Sequence, residues 1–278
     1  MTTALINAAI AYDFDGTLTP GHMQNHSFFP ELDVENPYEE FWPRVKKLAR
    51  EQDMDEILAY MHLMLKEADY KGISINKKKF IGHGKGMNFF PGVQEWFTRI
   101  NKYAANQGIE LKHYIISSGL REMIQGTAIA DEFAAIFASG FMYNQDDIAI
   151  WPALAVNYTN KTQYIFRINK GIDNSWDSEI LNQYWGERQR PVPEGNIIYL
   201  GDGETDVPAM KMVNYIGGNS IAVFDQNSEK AKQICENLIT QDRAKYACEA
   251  NYEEGSDLDQ TIKNIINKIS QTKQGQTL

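Results

Sequence analysis

Short apolar runs that end in polar residues alternate with segments of helical periodicity along most of this chain. Residues 8–12, 111–116 and 196–200 are apolar stretches too short for buried helices, and a glycine follows each within a few residues. Such runs are typical of buried β-strands. Apolar residues recur at helical spacing within residues 93–103 and 161–169. Strands separated by helices predict an α/β fold with a mostly parallel, Rossmann-like, doubly wound sheet.

The segment between the first two predicted strands follows a different pattern. Residues 20–90 carry no strong strand signal, and apolar residues recur at helical spacing after Pro37 and again after Asp53, a possible N-cap. This pattern predicts a smaller, mostly helical domain inserted into an α/β core that comprises residues 1–19 and 91–278.

Glycines are concentrated near the end of this insert, in the sequence Gly-His-Gly-Lys-Gly at residues 82–86. Two interpretations are open. The glycines form a plain linker, or they form a hinge that lets the helical unit close over a site on the core.

Weaker periodicities complete the assignment of elements. They predict a helix over 121–133 interrupted near Gly126, a strand over 136–138, a hairpin of 141–143 and 148–150, helices over 178–185, 207–213, 228–237 and 258–269, a strand over 220–224 and a frayed tail over 271–278.

Composition narrows the classes of function. The 278 residues are 43% apolar and carry a formal charge of −10, so the chain can form a packed core and repels nucleic acid and anionic lipid. Only two cysteines occur, and there is neither a secretory signal nor a long apolar span. We therefore expect a cytoplasmic protein with no nucleic-acid partner and no membrane association.

Acidic and hydroxyl groups stand at the ends of three predicted strands. Asp13 and Asp15 follow the first strand, Ser117 ends the second, and Asp202 and Asp206 follow the third. Carboxyl ends of parallel strands meet at one edge of a sheet, where ligands bind. Two carboxylates this close repel unless a cation or a shared proton relieves them. A polar strand end with an Asp-rich turn explains the first pair alone, but not three such ends.

These strand ends, with a lysine between the second and third, resemble the haloacid dehalogenase-like superfamily of aspartate-nucleophile phosphohydrolases. The first motif matches at residues 13–17 (DFDGT), the second at Ser117, the third at Lys161 and the fourth at residues 201–206 (GDGETD). The order and separations fit over essentially the whole chain.

The position of the insert resembles the helical cap (a C1-type insert) of the subgroup that includes phosphoserine phosphatases. Those enzymes often carry Ser-Gly-Gly where this chain has Ser117, Ser118 and Gly119. Their amino-acid substrate is therefore not carried over.

The resemblance implies a phosphomonoesterase that acts on a small soluble phosphate ester through an aspartyl-phosphate. Asp13 matches the nucleophile, and Asp15 matches the acid that protonates the leaving oxygen and then activates water. Mg²⁺ is the implied cofactor, held by the Asp13 carboxylate, the Asp15 backbone carbonyl and Asp202. Asp206 is a further ligand or a supporting group, and it is also a possible N-cap of the helix near Val207.

Phosphate binding is assigned to the second and third motifs. Ser117 and the backbone at Gly119 donate to phosphoryl oxygens. Ser118 is a competing donor, with a helix N-cap as its simpler role. Arg121 binds an anionic substrate group or is a solvated helix cation.

Lys161 opens a predicted helix after a loop and supplies positive charge to the phosphate and to the aspartates. Lys170 is the rival lysine, or a cation at a helix end. His22, His26 and Lys85 are weaker candidates for substrate contact, because surface or packing roles explain them as well.

Three other functions remain open. Phosphonate cleavage is conceivable through a lysine of the insert, among Lys77, Lys78, Lys79 and Lys85. Transfer of the phosphoryl group to a sugar phosphate is a second variant. A non-catalytic phosphate-binding protein is a third, but such a protein would be expected to lose Asp13, Asp15 or Asp202, and all three stand.

Overall fold

A seven-stranded sheet forms the centre of the molecule in the computed structural model, which describes residues 5–186 and 189–275. The order of the described strands is β4-β3-β2-β1-β5-β6-β7. Only β4 is antiparallel to its neighbour in this sheet. This arrangement confirms the predicted α/β fold with a mostly parallel, Rossmann-like sheet. The strands are β1 (Ile6–Tyr12), β2 (Ile109–Leu120), β3 (Ala135–Tyr143), β4 (Ala149–Leu154), β5 (Ile197–Gly201), β6 (Asn219–Phe224) and β7 (Tyr246–Glu249).

Helices cover both faces of the sheet. Residues of β1 alternate between two apolar clusters, because successive side chains of a strand point to opposite faces. The helices are α1 (Phe28–Glu31), α2 (Pro37–Glu40), α3 (Trp42–Gln52), α4 (Glu56–Tyr70), α5 (Lys77–His83), α6 (Val93–Asn106), α7 (Arg121–Gln125), α8 (Lys161–Asn169), α9 (Ser178–Asn182), α10 (Val207–Tyr215), α11 (Glu229–Thr240) and α12 (Asp257–Gly275). One cluster includes residues of α6 and α12, and the other includes residues of α8, α10 and α11.

Helices α1 to α5 all lie between β1 and α6, in the helical insert (residues 20–90). The chain enters and leaves the insert at neighbouring points. The Phe90 amide donates to the Leu18 carbonyl at 3.0 Å, and the Thr19 hydroxyl donates to the Asn88 carbonyl at 2.6 Å. These bonds hold the two ends of the insert together at the edge of the sheet where β1 ends.

The first two predicted helices of the insert differ from the observed ones at their ends. The first is divided into α2 and α3 at Phe41. Asp53 is not an N-cap, because it ends α3 in the left-handed conformation, with φ of 49°. Asp55 caps α4 instead, and its carboxylate accepts from the amides of Ile57 and Leu58 at 2.8 and 3.1 Å.

The glycine-rich return segment is partly helical and closely packed. Gly82 lies within α5. A Cβ atom on Gly84 would lie 1.9 Å from the Met123 carbonyl oxygen, and one on Gly126 would lie 1.8 Å from the Ile81 carbonyl oxygen. The backbone of this segment therefore packs directly against that of α7 and its C-terminal end. Gly84 serves this close approach, which neither the linker nor the hinge interpretation anticipated.

Further differences concern short or terminal elements. The helix predicted over 121–133 ends at Gln125, and the strands predicted over 136–138 and 141–143 form the single strand β3. The four-residue strand β7 was not predicted, and α9 ends at Asn182 rather than near 185. Helix α12 continues to Gly275, through most of the predicted frayed tail, and residues 276–278 lie outside the described residues. Among the described helices, none combines the length and apolar character needed to cross a lipid bilayer.

Candidate active site

The central strands β2, β1 and β5 bring the predicted site residues to one edge of the sheet. The Asp13 amide donates to the Leu200 carbonyl at 2.8 Å, so the pairing of β1 with β5 continues up to Asp13. Asp202 directly follows β5, and Ser117 lies near the end of β2. The parallel register thus places three distant parts of the chain side by side.

Glycines allow the two acidic loops to approach each other closely. Gly16 has a φ of +74°, which favours glycine. A Cβ atom on Gly16 would lie 2.2 Å from Asp202 Oδ2. A Cβ atom on Gly201 would lie 2.4 Å from the carboxyl carbon of Asp206. Any side chain at either position would displace a carboxylate of the site.

A buried ion-pair cluster joins the first, third and fourth motifs. Lys161 Nζ lies 3.1 Å from Asp13 Oδ1 and 2.7 Å from Asp206 Oδ1. The Tyr199 hydroxyl donates to the same Asp206 oxygen at 2.6 Å. Lys161 and Asp206 are completely buried, so their charges act in a medium of low polarity.

This cluster contains more negative than positive charge. Burial and the charge of Asp206 raise the pKa of Asp13 to about 6, although Lys161 opposes the shift. Burial, together with Asp206 and Asp13, raises the pKa of Asp202 well above its usual range. Burial alone would lower the pKa of Lys161, but the attraction of Asp13 and Asp206 outweighs it and raises that pKa. Lys161 is therefore positively charged, and one lysine does not neutralise three acids.

The donor set fits a hard divalent cation. Carboxylate oxygens of Asp13, Asp202 and Asp206 lie within 4.8 Å of one another. Asp206 Oδ2 is buried and has no hydrogen-bond partner among the described residues. Mg²⁺ prefers oxygen ligands, and a buried carboxylate oxygen without a partner is costly unless something binds it.

Asp15 has a different environment from the other acids. Its Oδ1 accepts from the Met23 amide at 2.9 Å, and its Oδ2 lies 4.0 Å from His22 Nδ1. Burial and the nearby charge of Asp13 raise the pKa of Asp15 well above its usual range. The sequence left open how an acid in this cluster could hold a proton, and burial beside Asp13 supplies a physical reason.

These residues and the helical insert line one cavity of about 620 Å³. The core contributes Asp13, Asp15, Asp202 and residues 117–119, among others. The insert contributes side chains of α3 and α4, among others. The acidic edge of the sheet therefore faces a space large enough for a small organic molecule.

Comparison with known proteins agrees with this geometry. The family model described as haloacid dehalogenase-like hydrolase matches residues 10–211. This chain belongs to that family. The match confirms the resemblance drawn from the four motifs, and the protein is a hydrolase of the haloacid dehalogenase-like type.

Similar proteins extend the family match over nearly the whole chain. An uncharacterized protein of Borreliella burgdorferi is 30% identical over 277 residues, covering 90% of this chain and 93% of that protein. A haloacid dehalogenase family hydrolase of Salmonella enterica has a TM-score of 0.58 at 15% identity, covering 94% and 72% of the two chains. A phosphoserine phosphatase, solved as a phospho-aspartyl intermediate analogue, has a TM-score of 0.53 at 16% identity, covering 93% and 99%. Both of these solved structures share the fold of this chain.

The second motif of this haloacid dehalogenase-like hydrolase lies where the pairing of β2 with β3 shifts its register, between Ser117 and Leu120. Ser117 is buried, and its Oγ accepts from the Gly119 amide at 3.0 Å. A Cβ atom on Gly119 would lie 2.1 Å from the methyl group of Met23. The N-cap role considered for Ser118 is wrong, because α7 begins at Arg121 with Leu120 before it. The Ser118 hydroxyl is buried without a partner among the described residues.

Two cations of the sequence analysis lie away from the acids. Lys170 Nζ donates to the carbonyls of Leu181 and Gln183, both at 2.5 Å, so of the two candidate lysines only Lys161 contacts the site. Arg121 Nη2 lies 3.3 Å from Glu122 Oε1, and Arg121 is not among the described residues that line the cavity. Its predicted contact with an anionic substrate group stays a prediction without support from this geometry.

The three weaker candidates, His22, His26 and Lys85, differ in whether they reach the cavity. His22 is one of its lining residues. His26 contacts the Lys85 carbonyl at 3.4 Å, and neither residue is among the described residues of the cavity wall.

Several site residues carry no sequence signal. Tyr199 lies inside an apolar strand, and Met23 follows the first motif without resembling any binding pattern. Tyr60 of α4 donates to the Ser118 carbonyl at 2.7 Å and so connects the insert to the second motif. Only their positions in the fold identify these side chains.

Proposed function

We propose that this hydrolase is a magnesium-dependent phosphomonoesterase that cleaves a small soluble phosphate ester through an aspartyl-phosphate on Asp13. The observation that carries the proposal is the convergence of Asp13, Asp15, Asp202 and Ser117 on one cavity, with the buried Lys161 directly behind Asp13 at 3.1 Å. A nucleophile, a proton donor and groups that offset phosphoryl charge are what this reaction requires.

The attacking atom follows from the hydrogen bonds of Asp13. Its Oδ1 accepts from the Phe14 amide at 2.8 Å and lies 3.1 Å from Lys161 Nζ. Among the described residues both of these contacts are made by Oδ1, so Oδ2 is the oxygen with free lone pairs. At pH 7 a carboxyl group with a pKa of about 6 is mostly ionised, as a nucleophile must be.

In the first step, Asp13 Oδ2 forms a bond to phosphorus as the bond from phosphorus to the ester oxygen breaks. The electron pair of that bond goes to the leaving oxygen, which takes a proton from Asp15. In the second step, Asp15 accepts a proton from water as the water oxygen attacks phosphorus. Phosphate leaves and the Asp13 carboxylate is restored. The raised pKa of Asp15 favours its first role.

Positive charge and donors around the phosphoryl group come from three sources. Lys161 and the Ser117 hydroxyl stabilise its oxygens, and Gly119 contributes its backbone. Mg²⁺ would be held by Asp13, Asp202 and the Asp15 carbonyl, with Asp206 as ligand or support. When bound, it would neutralise charge on the phosphoryl oxygens.

The helical insert (residues 20–90) acts in this proposal as the cap that selects the substrate. It supplies one side of the cavity, and the Tyr60 bond ties it to the second motif. A small phosphate ester is the expected partner. The formal charge of −10 argues against nucleic acid and anionic membranes, and two buried free thiols fit a cytoplasmic location.

The alternative activities receive less support. Lys77, Lys78, Lys79 and Lys85, which motivated phosphonate cleavage, are not among the described residues that line the cavity. Lys79 forms an ion pair with Glu31 on the insert. Sensing without catalysis would leave the nucleophile and the buried lysine beside it unexplained.

The test is phosphate release from a panel of phosphate esters by the full chain. We expect turnover with Mg²⁺, its loss with a chelator and its return when Mg²⁺ is restored. Asp13→Asn should lower turnover by at least about 10³-fold, as removal of a covalent nucleophile does. Asp131→Asn, which changes an exposed acid, is the matched control and should retain full turnover. A folded Asp13→Asn variant with the parent's turnover would contradict the proposal.

A further inference from the structure

We propose that the alcohol half of the substrate carries a planar aromatic ring, which stacks on an aromatic wall of the cavity. The aromatic wall consists of His22, Tyr38, Trp42 and Tyr60, and all four residues line the cavity. This inference rests on the proposed phosphatase function, because it names the class of ester that the site accepts.

The four rings form one continuous surface. The ring centres of His22 and Trp42 are 5.2 Å apart, those of His22 and Tyr38 are 6.0 Å apart, and those of Trp42 and Tyr60 are 5.8 Å apart. Centre-to-centre distances of this size mean that neighbouring rings touch. Their planes are inclined to one another by 42° to 65°, so a flat ring that stacks on the face of one of them meets the edge of a neighbour.

The wall passes beside the carboxyl group that gives its proton to the leaving oxygen. His22 Nδ1 lies 4.0 Å from Asp15 Oδ2, and Asp15 is the proposed proton donor. At the other end of the wall, the Tyr60 hydroxyl bonds to the Ser118 carbonyl next to the phosphate-binding serine. An alcohol whose oxygen leaves near Asp15 therefore has its carbon skeleton against the aromatic wall.

The charges of the outer cavity oppose a second anionic group on the substrate. Apart from the catalytic aspartates, the described lining residues include the acids Glu56 and Asp225 and the lysine Lys46. A single lysine beside two acids is a poor site for a carboxylate or another phosphate.

The contact between the rings also argues against an ammonium group in an aromatic cage. A cage holds its cation within about 6 Å of each of several ring centres, so rings on opposite sides lie well apart. The rings of the aromatic wall touch one another and leave no such space between them. The cavity volume of about 620 Å³ further favours a group larger than an amino-acid side chain.

The first experiment compares matched pairs of esters with the full chain and Mg²⁺. Benzyl phosphate and cyclohexylmethyl phosphate differ mainly in the planarity of the ring. Adenosine 5′-monophosphate and ribose 5-phosphate differ in the presence of the base. We expect kcat/KM to be about ten-fold higher or more for the planar member of at least one pair, as aromatic stacking provides. If only benzyl phosphate is preferred over its partner, the substrate carries a simple aryl group. If only adenosine 5′-monophosphate is preferred over its partner, the substrate is a nucleotide.

Variants of the aromatic wall provide the second measurement. Tyr38→Leu changes a ring that is 58% exposed, so the variant should fold. It should lower the ratio of kcat/KM between planar and non-planar members by about three-fold or more, and Trp42→Leu should lower it further. Tyr70→Leu removes a ring of the same insert that is 88% exposed and does not line the cavity. It should leave the ratio unchanged.

Binding separates this inference from the proposed function. Calorimetry with the Asp13→Asn variant measures the affinity for each ester without turnover. Ring preference in binding without turnover by the parent would support the inference and contradict the phosphatase proposal. Turnover in which O-phosphoserine, choline phosphate or the non-planar esters are preferred would overturn the inference and leave the phosphatase proposal standing. Equal binding of planar and non-planar esters by the variant would also overturn it.

Discussion

Tyr12 ends β1 and Asp13 follows it directly, and the surroundings of these two side chains differ in kind. Tyr12 points into a neutral network under α6, whereas Asp13 points into the ion-pair cluster with Lys161 and Asp206. All of these groups are buried, but the neutral network is complete and the ion-pair cluster is not.

The hydrogen bonds of the neutral network satisfy every member. Trp96 Nε1 can only donate, so the Tyr12 hydroxyl accepts from it at 2.9 Å and donates to His113 Nδ1 at 3.0 Å. His113 Nε2 then carries the hydrogen and donates to Asn101 Oδ1 at 2.9 Å. A network satisfied in this way stabilises one arrangement of strand and helix and has no capacity left for a ligand.

The ion-pair cluster has such capacity. It has excess negative charge, and one carboxylate oxygen of Asp206 has no partner among the described residues. Native proteins rarely leave a buried polar atom unpaired unless it has a function. The comparison teaches that both clusters are buried, and that what distinguishes the ion-pair cluster is a buried polar atom without a hydrogen-bond partner.

Among the substitutions that test this comparison, the largest effect is expected from removing the positive charge of the ion-pair cluster. Lys161→Met should lower kcat/KM for phosphate release by about 10²–10³-fold, because a preorganised charge at the phosphoryl group is lost. Lys170→Met is the matched control, since that lysine binds carbonyls away from the acids. Activity of folded Lys161→Met within about three-fold of the control would refute a functional role for the cluster.

A substitution on the other face should separate stability from activity. Tyr12→Phe leaves the Trp96 donor and the His113 acceptor unpaired, which should lower the free energy of unfolding by about 2–4 kcal/mol. Phosphate release below the unfolding transition should stay near the parent's rate. Urea unfolding and steady-state kinetics measure the two quantities.

The matched variant is Tyr199→Phe, which removes a hydroxyl bound to Asp206. It should change kcat/KM more than Tyr12→Phe does. The reverse order of activity losses would mean that the two faces have been assigned the wrong roles.

Acid should weaken the neutral network through His113. Burial lowers the pKa of this residue to about 3, well below its value in an unfolded chain. Between pH 3 and about pH 6.5, His113 binds a proton in the unfolded chain but not in the folded protein. The stability that the neutral His113 contributes is therefore fully present above about pH 6.5 and is lost as the pH falls towards 3. From pH 7 to pH 5 the parent should lose about 2 kcal/mol more than His113→Gln. Equal losses in urea unfolding would show that His113 is protonated in the folded protein.

The smallest expected effect concerns the bond between the helical insert and the second motif. Tyr60→Phe removes a hydroxyl that donates to the Ser118 carbonyl at 2.7 Å. It should cost about 1 kcal/mol of unfolding free energy, as one neutral hydrogen bond does. Tyr70→Phe, exposed on the same helix, should cost nothing measurable. An equal effect of the two variants would mean that the Tyr60 bond does not stabilise the attachment of the insert.

Much of the fold was predictable because its strong elements repeat a clear pattern. The helix over Lys161–Asn169 was predicted with its observed limits, and the strands that carry the three acidic or hydroxyl ends were all predicted. Strand β7 was missed because four residues that include Ala247 and Cys248 give little strand signal. Its place follows from pairing with β6, which is a contact distant in sequence.

The acids could be singled out because they follow strands with clear patterns, and Lys161 because it opens a helix with a clear pattern. By contrast, Tyr199, Met23 and the tyrosines and tryptophan of the aromatic wall have no local signal, since aromatic and apolar side chains at helical or strand spacing are typical of any core. The close approach at Gly16 likewise appears only when Asp202 is brought from the far end of the sheet.

The sequence by itself determined the class of the fold, the order of its motifs and the acids that meet at the strand ends, because these depend on local periodicity and on the geometry common to all parallel sheets. Only the tertiary structure decided which carboxylate oxygens are left unpaired, which lysine reaches them and which rings face the cavity. Those properties depend on distances between atoms of residues far apart in the chain. They also depend on which face of the sheet a side chain points to, and that face changes from one residue to the next.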